Sequence, residues 1–230
     1  MKSIPISRLL TQLKTTSTVV EVLNYSISDY LAIDLSTSAP DLEHLDLTDA
    51  AAMEKYIELY CQEQGAKVAY GGYLEHRNLY KHSTHFNQQE VSTARNIHLG
   101  IDLWVAAGTA VIAPLRGTVH SFQDNKGLGN YGPTIILEHR IKGVMFYSLY
   151  GHLSRESLEG LAVGQIIENG QKFAVLGTAE VNGNYAPHLH FQLILDLEGK
   201  QGDYPGVCSQ QDVAFYQQNC PNPTLLLSLD

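Results

Sequence analysis

The chain has 230 residues, is 44% hydrophobic and 17% charged, and carries a formal charge of -9. That composition can bury the core of one medium domain with additions or of two small domains, and it fits neither a disordered segment, a collagen nor a coiled coil. Lys and Arg number 15 against 24 for Asp and Glu, which argues against nucleic-acid binding and against docking on an anionic membrane.

Residues 1 to about 90 read as a helical and irregular region with a connection at its end. The opening Met-Lys-Ser-Ile-Pro-Ile-Ser-Arg-Leu-Leu lacks the long apolar run and small-residue cleavage site of a signal peptide. No stretch reaches the length of a membrane span. Three cysteines, Cys61, Cys208 and Cys220, are too few and odd in number for a disulfide framework. The expected location is therefore cytoplasmic, or periplasmic or extracellular if the chain is a processed fragment. A helix is predicted over 48–63, where Met53, Tyr56, Ile57, Tyr60 and Cys61 recur on one face. Asp46, Thr48 or Asp49 supplies its N-cap and Gly65 its stop. The polar, aromatic stretch 71–90 reads as an extended connection crossing the next domain.

Residues 91–198 read as a β-domain. Short β-rich runs at 110–113, 117–122, 134–139, 144–150, 173–176 and 188–195 alternate with Gly, Pro and Asn clusters. No helical period separates them, so an antiparallel sheet or sandwich is expected, giving a mainly β core within an α+β whole. Residues 199–230 read as a loop, a short helix near 210–218 and a Pro-rich tail.

The chain holds ten histidines, and two groups have ligand-like spacing. In Asn96-Ile-His98-Leu-Gly100-Ile-Asp102, an extended backbone places 98, 100 and 102 on one face, with Gly100 leaving space for an ion between an imidazole and a carboxylate. In Pro187-His188-Leu-His190-Phe191, a strand points both imidazoles one way and Leu189 and Phe191 the other. Two buried imidazoles on one face need a metal or hydrogen bonds. Surface or satisfied core histidines are the bland alternatives. His152 in Tyr150-Gly-His152-Leu follows a predicted strand and reads on its own as a turn residue.

Taken together and in this order, His98-Leu-Gly-Ile-Asp102, the strand–turn–strand at 109–119, Tyr150-Gly-His152-Leu and Pro187-His188-Leu-His190-Phe resemble the lysostaphin-type (LytM-type) zinc metallopeptidases. These have a duplicated hybrid motif fold and usually cleave peptidoglycan peptides. The resemblance covers about 95–196. It implies one Zn²⁺ per chain bound by His98, Asp102 and His190, a water in the fourth position, His188 as general base and His152 orienting the water or stabilising the oxyanion. The implied partner is a peptide or amide substrate, with no nucleic acid and no membrane. Two features depart from the family: the segment 176–187 is not Gly/Ser/Thr-rich, and Gln192 stands where Glu is common. Both are expected to reshape the substrate groove.

The segments 132–139, 202–206 and 220–223 also resemble an apparently cytoplasmic branch of the family, found joined to aminotransferase-like domains, which implies a small peptide or amide substrate. In some relatives an N-terminal segment covers the groove and ligates zinc, a role open here to Asn78, Asn87, His76, His82 or His85. Arg77 and Arg95 are candidates for a substrate carboxylate or a simple salt bridge, Trp104 for the groove or the core, and His139 for a structural or outer-shell place. Cys208 and Cys220 match no zinc spacing. The alternative to an enzyme is a non-catalytic interaction or activator module of the same fold. A metal store and a cupin-like oxygenase fit the order of the motifs less well.

Overall fold

The computed structural model describes residues 21–42, 45–77, 94–227 and 229. Asn78, Tyr80, His82, His85 and Asn87, and with them most of the expected groove cover, lie outside the described residues, as does His44. Among the described residues no helix is long and apolar enough to cross a membrane.

An eight-stranded sheet organises the fold. Its strands are β1 (Tyr30–Ala32), β2 (Val68–Gly71), β4 (Ile101–Trp104), β6 (Gly117–Asn125), β7 (Gly132–Ile141), β8 (Val144–Gly151), β9 (Ile166–Ile167) and β11 (His188–Ile194), in the order β1-β2-β4-β11-β8-β7-β6-β9. Two small two-stranded antiparallel sheets complete the β-structure, β5 (Ala110–Ile112) with β10 (Lys172–Val175) and β3 (Ile97–His98) with β12 (Val207–Cys208). Every pairing from β2 to β9 is antiparallel, as expected for the β-domain.

The N-terminal region differs from its helical and irregular reading. It supplies β1 and β2, which pair in parallel at one edge of the sheet. Helix α1 (Ala50–Gln64) makes the crossover between them, as a parallel pair requires. Three and four residues are too few to display a period of two, so neither strand is visible in the sequence. The helix itself follows its signals. The Asp49 carboxylate accepts hydrogen bonds from the amides of Ala51 and Ala52, and Gly65 closes the helix at φ 69°. Met53, Ile57 and Cys61 are buried against Ile33, Leu35, Trp104 and Ala186.

The central strands are buried on both faces. Leu189, Phe191 and Leu193 of β11 join Ile101, Leu103, Ile135 and Leu137 in the main core, which the β5–β10 pair helps to cover with Val111 and Ala174. The opposite face gathers Ile136, Leu149 and Ile194 under Ile97 and Cys208 of the β3–β12 pair. Burying each large apolar side chain contributes about 1.5–3 kcal/mol. The C-terminal helices, α2 (Val213–Asn219) and α3 (Thr224–Leu227), are short.

Candidate metal and catalytic site

The polar residues of the site sit on three adjacent strands where alternation sends them away from the main core. Asp102 of β4 lies directly opposite His190 of β11. His190 in turn faces Gly151, the last residue of β8, and His152 follows it. His188 lies two residues before His190 on the same side of the strand. His98 arrives from β3, across a turn at Leu99 and Gly100. The two halves of the first motif are therefore not one extended strand, and the space beside Gly100 is taken by the His190 ring and the Phe191 carbonyl. A Cβ there would lie 2.7 Å from the Phe191 carbonyl oxygen and 2.8 Å from His190 Nε2. Gly100 makes room for the ring of His190.

His98, Asp102 and His190 nevertheless converge, and all three are buried. His98 Nε2 lies 2.9 Å from His190 Nδ1, and Asp102 Oδ1 lies 3.3 Å from the first and 3.2 Å from the second. The other nitrogen of each ring is committed. His98 Nδ1–H donates to the Gly72 carbonyl at 3.0 Å. His190 Nε2–H donates to Gln192 Oε1 at 2.9 Å, because the Gln192 amide nitrogen is turned to the Pro205 carbonyl. In the neutral rings the nitrogens that meet are therefore both lone pairs, and a carboxylate oxygen meets them too. Three electron-pair donors facing one another repel unless a cation lies among them. Tetrahedral ligands at 2.0–2.2 Å from zinc sit about 3.3–3.6 Å apart, near the spacing seen here.

His188 and His152 stand beside this group, their ring centroids 4.2 Å apart. His188 Nδ1–H donates to the Ala186 carbonyl and His152 Nδ1–H to the Asn182 carbonyl, each at 2.7 Å. Both rings thus present Nε2 as an acceptor, and that of His188 is 3.7 Å from Asp102 Oδ1. His152 has φ 62°, a left-handed backbone that a non-glycine residue seldom adopts. The turn after β8 is what delivers its ring to the site.

Burial pushes His98 down to about 4 and His152 well below the ordinary imidazole range, and it lowers His188 as well. All three rings are neutral at pH 7. Burial alone would raise Asp102, but His98, Arg77 and His188 outweigh it and hold the carboxyl well below its usual range. The neutral His98 imidazole and the ionised Asp102 carboxylate are the forms a metal requires of such ligands.

A cavity of about 290 Å³ opens over these residues, walled by Trp104, Tyr131, Tyr185, Arg95 and Met53 among others. Trp104 lies 5.6 Å from the His188 ring, centroid to centroid, so it lines the site while remaining buried. Met53 both packs α1 and reaches the cavity. Arg95 lines it too, with its guanidinium donating to the Val207 carbonyl. Arg77 proves to be the salt-bridge case. Its side chain is buried and joins the carboxylates of Glu75 and Asp102. His139 is an internal structural residue, bonded to the Arg116 carbonyl and to Ser148. Gln192 differs from its expected place in the groove. It is fully buried behind His190 and touches that ring directly. Tyr131 and Tyr185, packed against His152, carry no motif and escape sequence reasoning.

Residues 96–203, just under half of the chain, match the family model described as peptidase family M23. This stretch is an M23 peptidase domain. A protein of Haemophilus influenzae described as an uncharacterized metalloprotease is 33% identical over 95 residues, which are 41% of this chain and 18% of that protein. The chain thus spans less than a fifth of that curated relative. The catalytic domain of lysostaphin from Staphylococcus simulans is 26% identical, over 53% of this chain and 80% of that one, with a TM-score of 0.37. A zinc-containing peptidase from Vibrio cholerae is 25% identical, over 47% of this chain and 30% of that one, with a TM-score of 0.35. The M23 domain is of metallopeptidase type, and its boundaries enclose all five sequence-predicted site residues.

Proposed function

We propose that the chain is a zinc-dependent peptidase that hydrolyses a peptide or amide bond, with His98, Asp102 and His190 holding one zinc ion. The observation that carries this reading is the convergence of three buried ligand atoms, His98 Nε2, His190 Nδ1 and Asp102 Oδ1, within 3.3 Å of one another, while the far nitrogen of each ring is engaged by Gly72 or Gln192. Bound there, zinc supplies a Lewis acid for the scissile carbonyl and lowers the pKa of the attacking water to roughly 7.

The protein residues then divide the work. His188 is the general base. Its Nδ1–H is held by the Ala186 carbonyl, so Nε2 takes a proton from the attacking water and later returns it to the leaving amine. His152, fixed in the same way by Asn182, accepts the water's second hydrogen and so orients the attack. Once that proton has been taken up, the His188 imidazolium faces the developing oxyanion as a donor. The walls of Trp104, Tyr131 and Tyr185 exclude bulk water and accept a short peptide segment. The family's usual peptidoglycan peptides and a small cytoplasmic peptide are the two substrate classes to compare. All five polar positions are filled, which argues against an interaction module that has lost its chemistry.

The test is metal content and hydrolysis in the purified chain, beside a His190→Ala variant. About one zinc per chain, absent from the variant, and cleavage of a member of a peptide panel are expected. A folded chain that takes up no zinc after reconstitution refutes the proposal.

A further inference from the structure

The M23-matched stretch begins at residue 96, yet two of the three converging side chains are held from behind by residues that precede it. A strap at residues 72–77 crosses the back of the site. Its backbone is stitched to β3: the Leu74 amide donates to the His98 carbonyl, the His98 amide to the Glu75 carbonyl, and the Arg77 amide to the Asn96 carbonyl. The Gly72 carbonyl accepts from the His98 ring. Arg77 then turns inward. Its Nη1 donates to Asp102 Oδ2, and its Nε donates to Glu75 Oε2. Glu75 is itself fixed, because its Oε1 accepts from the Leu35 amide, three residues beyond β1. The guanidinium carbon lies 5.4 Å from the centroid of Trp104, the ring stacked on His188.

We infer that Arg77 is a positioning residue of the metal centre, making Asp102 a one-oxygen ligand. This rests on the zinc reading above. Asp102 has two oxygens, and the structure assigns them different tasks. Oδ1 faces His98, His190 and His188. Oδ2 is occupied by the guanidinium. A carboxylate gripped in this way cannot swing both oxygens toward an ion. The coordination stays low and a position stays open for water and substrate, as a catalytic site needs. The planar fork is what matters: it spans two carboxylates while stacked on an indole, which an ammonium at the end of a flexible stem does not reproduce. Without Arg77, the Glu75 and Asp102 carboxylates would share one buried space with nothing between them. Asp102 would then lose its aim.

The experiment uses the full chain and its Arg77→Met and Arg77→Lys variants. Zinc affinity is measured by competition with a chromophoric chelator, and ligand geometry from the visible spectrum of the Co²⁺-loaded proteins. Thermal unfolding of the metal-free chains checks that each variant folds. The native chain is expected to give the intense d–d bands of four-coordinate cobalt. Arg77→Met is expected to bind zinc roughly 10–100-fold more weakly, the usual loss when an outer-shell partner is removed. Its cobalt bands are expected to weaken as the coordination number rises. Arg77→Lys keeps the charge and is expected to recover only part of the loss. If Arg77→Lys matched the native chain in both readouts, charge alone would account for the effect and the positioning role would be overturned. It is equally overturned if Arg77→Met folds, binds zinc as tightly or more tightly, and leaves the cobalt spectrum unchanged. Should Arg77→Met fail to fold, Arg77→Lys and Glu75→Gln give the same readouts: native affinity and an unchanged cobalt spectrum in both folded variants overturn the role. A native chain that binds neither metal refutes the zinc reading itself, a result distinct from all of these.

Discussion

Gln192 offers a sharp test, because restoring the residue common in the resembling family is expected to harm this protein. The Gln192 side chain has no exposure to solvent. Its oxygen accepts from His190 Nε2, and its nitrogen donates to the Pro205 carbonyl at 3.1 Å and to Cys220 Sγ at 3.3 Å. In Gln192→Glu, an ionised carboxylate would set a charged oxygen against a carbonyl oxygen in a buried pocket. The protonated acid reproduces the amide, one oxygen accepting from His190 and the O–H donating to Pro205. The folded state therefore holds the proton and raises the carboxyl above its unfolded value of about 4.3. A raised carboxyl pKa means that the unfolded chain ionises first. The variant matches the native chain below about pH 4.3 and loses stability as pH rises, by up to about 1.4 kcal/mol for each unit. Between pH 5 and pH 7 the native-minus-variant difference is expected to grow by about 2–3 kcal/mol. Urea unfolding of the metal-free proteins at the two pH values measures it. A variant whose deficit is the same at both, or which is more stable than the native chain at pH 7, would show that the pocket accepts an ionised glutamate, and the reasoning would fail.

Two further expectations come from residues whose surroundings are equally definite. Burial drops His139 to about 4, so its ring is neutral in the folded chain and charges more readily when unfolded. Its contribution is therefore complete above about pH 6.5 and is lost as pH falls toward 4. His139→Gln keeps a donor for the Arg116 carbonyl and a polar group beside Ser148 without titrating. The native chain should accordingly lose about 2 kcal/mol more than this variant between pH 7 and pH 5, and parallel pH curves in chemical denaturation would contradict the assignment. In Gly100→Ala, the added methyl meets the Phe191 carbonyl and the His190 ring at under 3 Å. Overpacking should cost about 1–3 kcal/mol and displace His190, so that zinc binding weakens along with the melting temperature. A variant that retains native zinc affinity would mean that the ring is not held where Gly100 allows it to lie.

The β-domain was legible because its strands are long enough, or its motifs dense enough, for a period of two to show. His188 and His190 share a face while Leu189 and Phe191 fill the core, and the antiparallel pairing of β4, β11 and β8 follows from runs that no helix interrupts. The edges were not legible. Tyr30-Leu-Ala and Val68-Ala-Tyr-Gly are strands only because β4 presents an unpaired edge to them, and that is tertiary information. The first motif illustrates the limit from the other side. His98 and Asp102 do meet, but through a bend between two sheets and not along the one extended strand expected. For Gly100 the signal lies in size, since the small residue admits a ring. Arg77 has no local signal at all, because its partner Asp102 lies 25 residues away in a different strand.

Gln192 lies between these cases. The alternation that places His188 and His190 together places Gln192 on the same face, so its contact with His190 was available from spacing alone. What spacing cannot supply is the other half of its pocket. Pro205 and Cys220 arrive from the C-terminal segment, and they are what make an amide and not a carboxylate the fitting group at that position. The difference between the two residues is thus decided by the C-terminal residues that close over β11, not by the metal motif in which the residue is written.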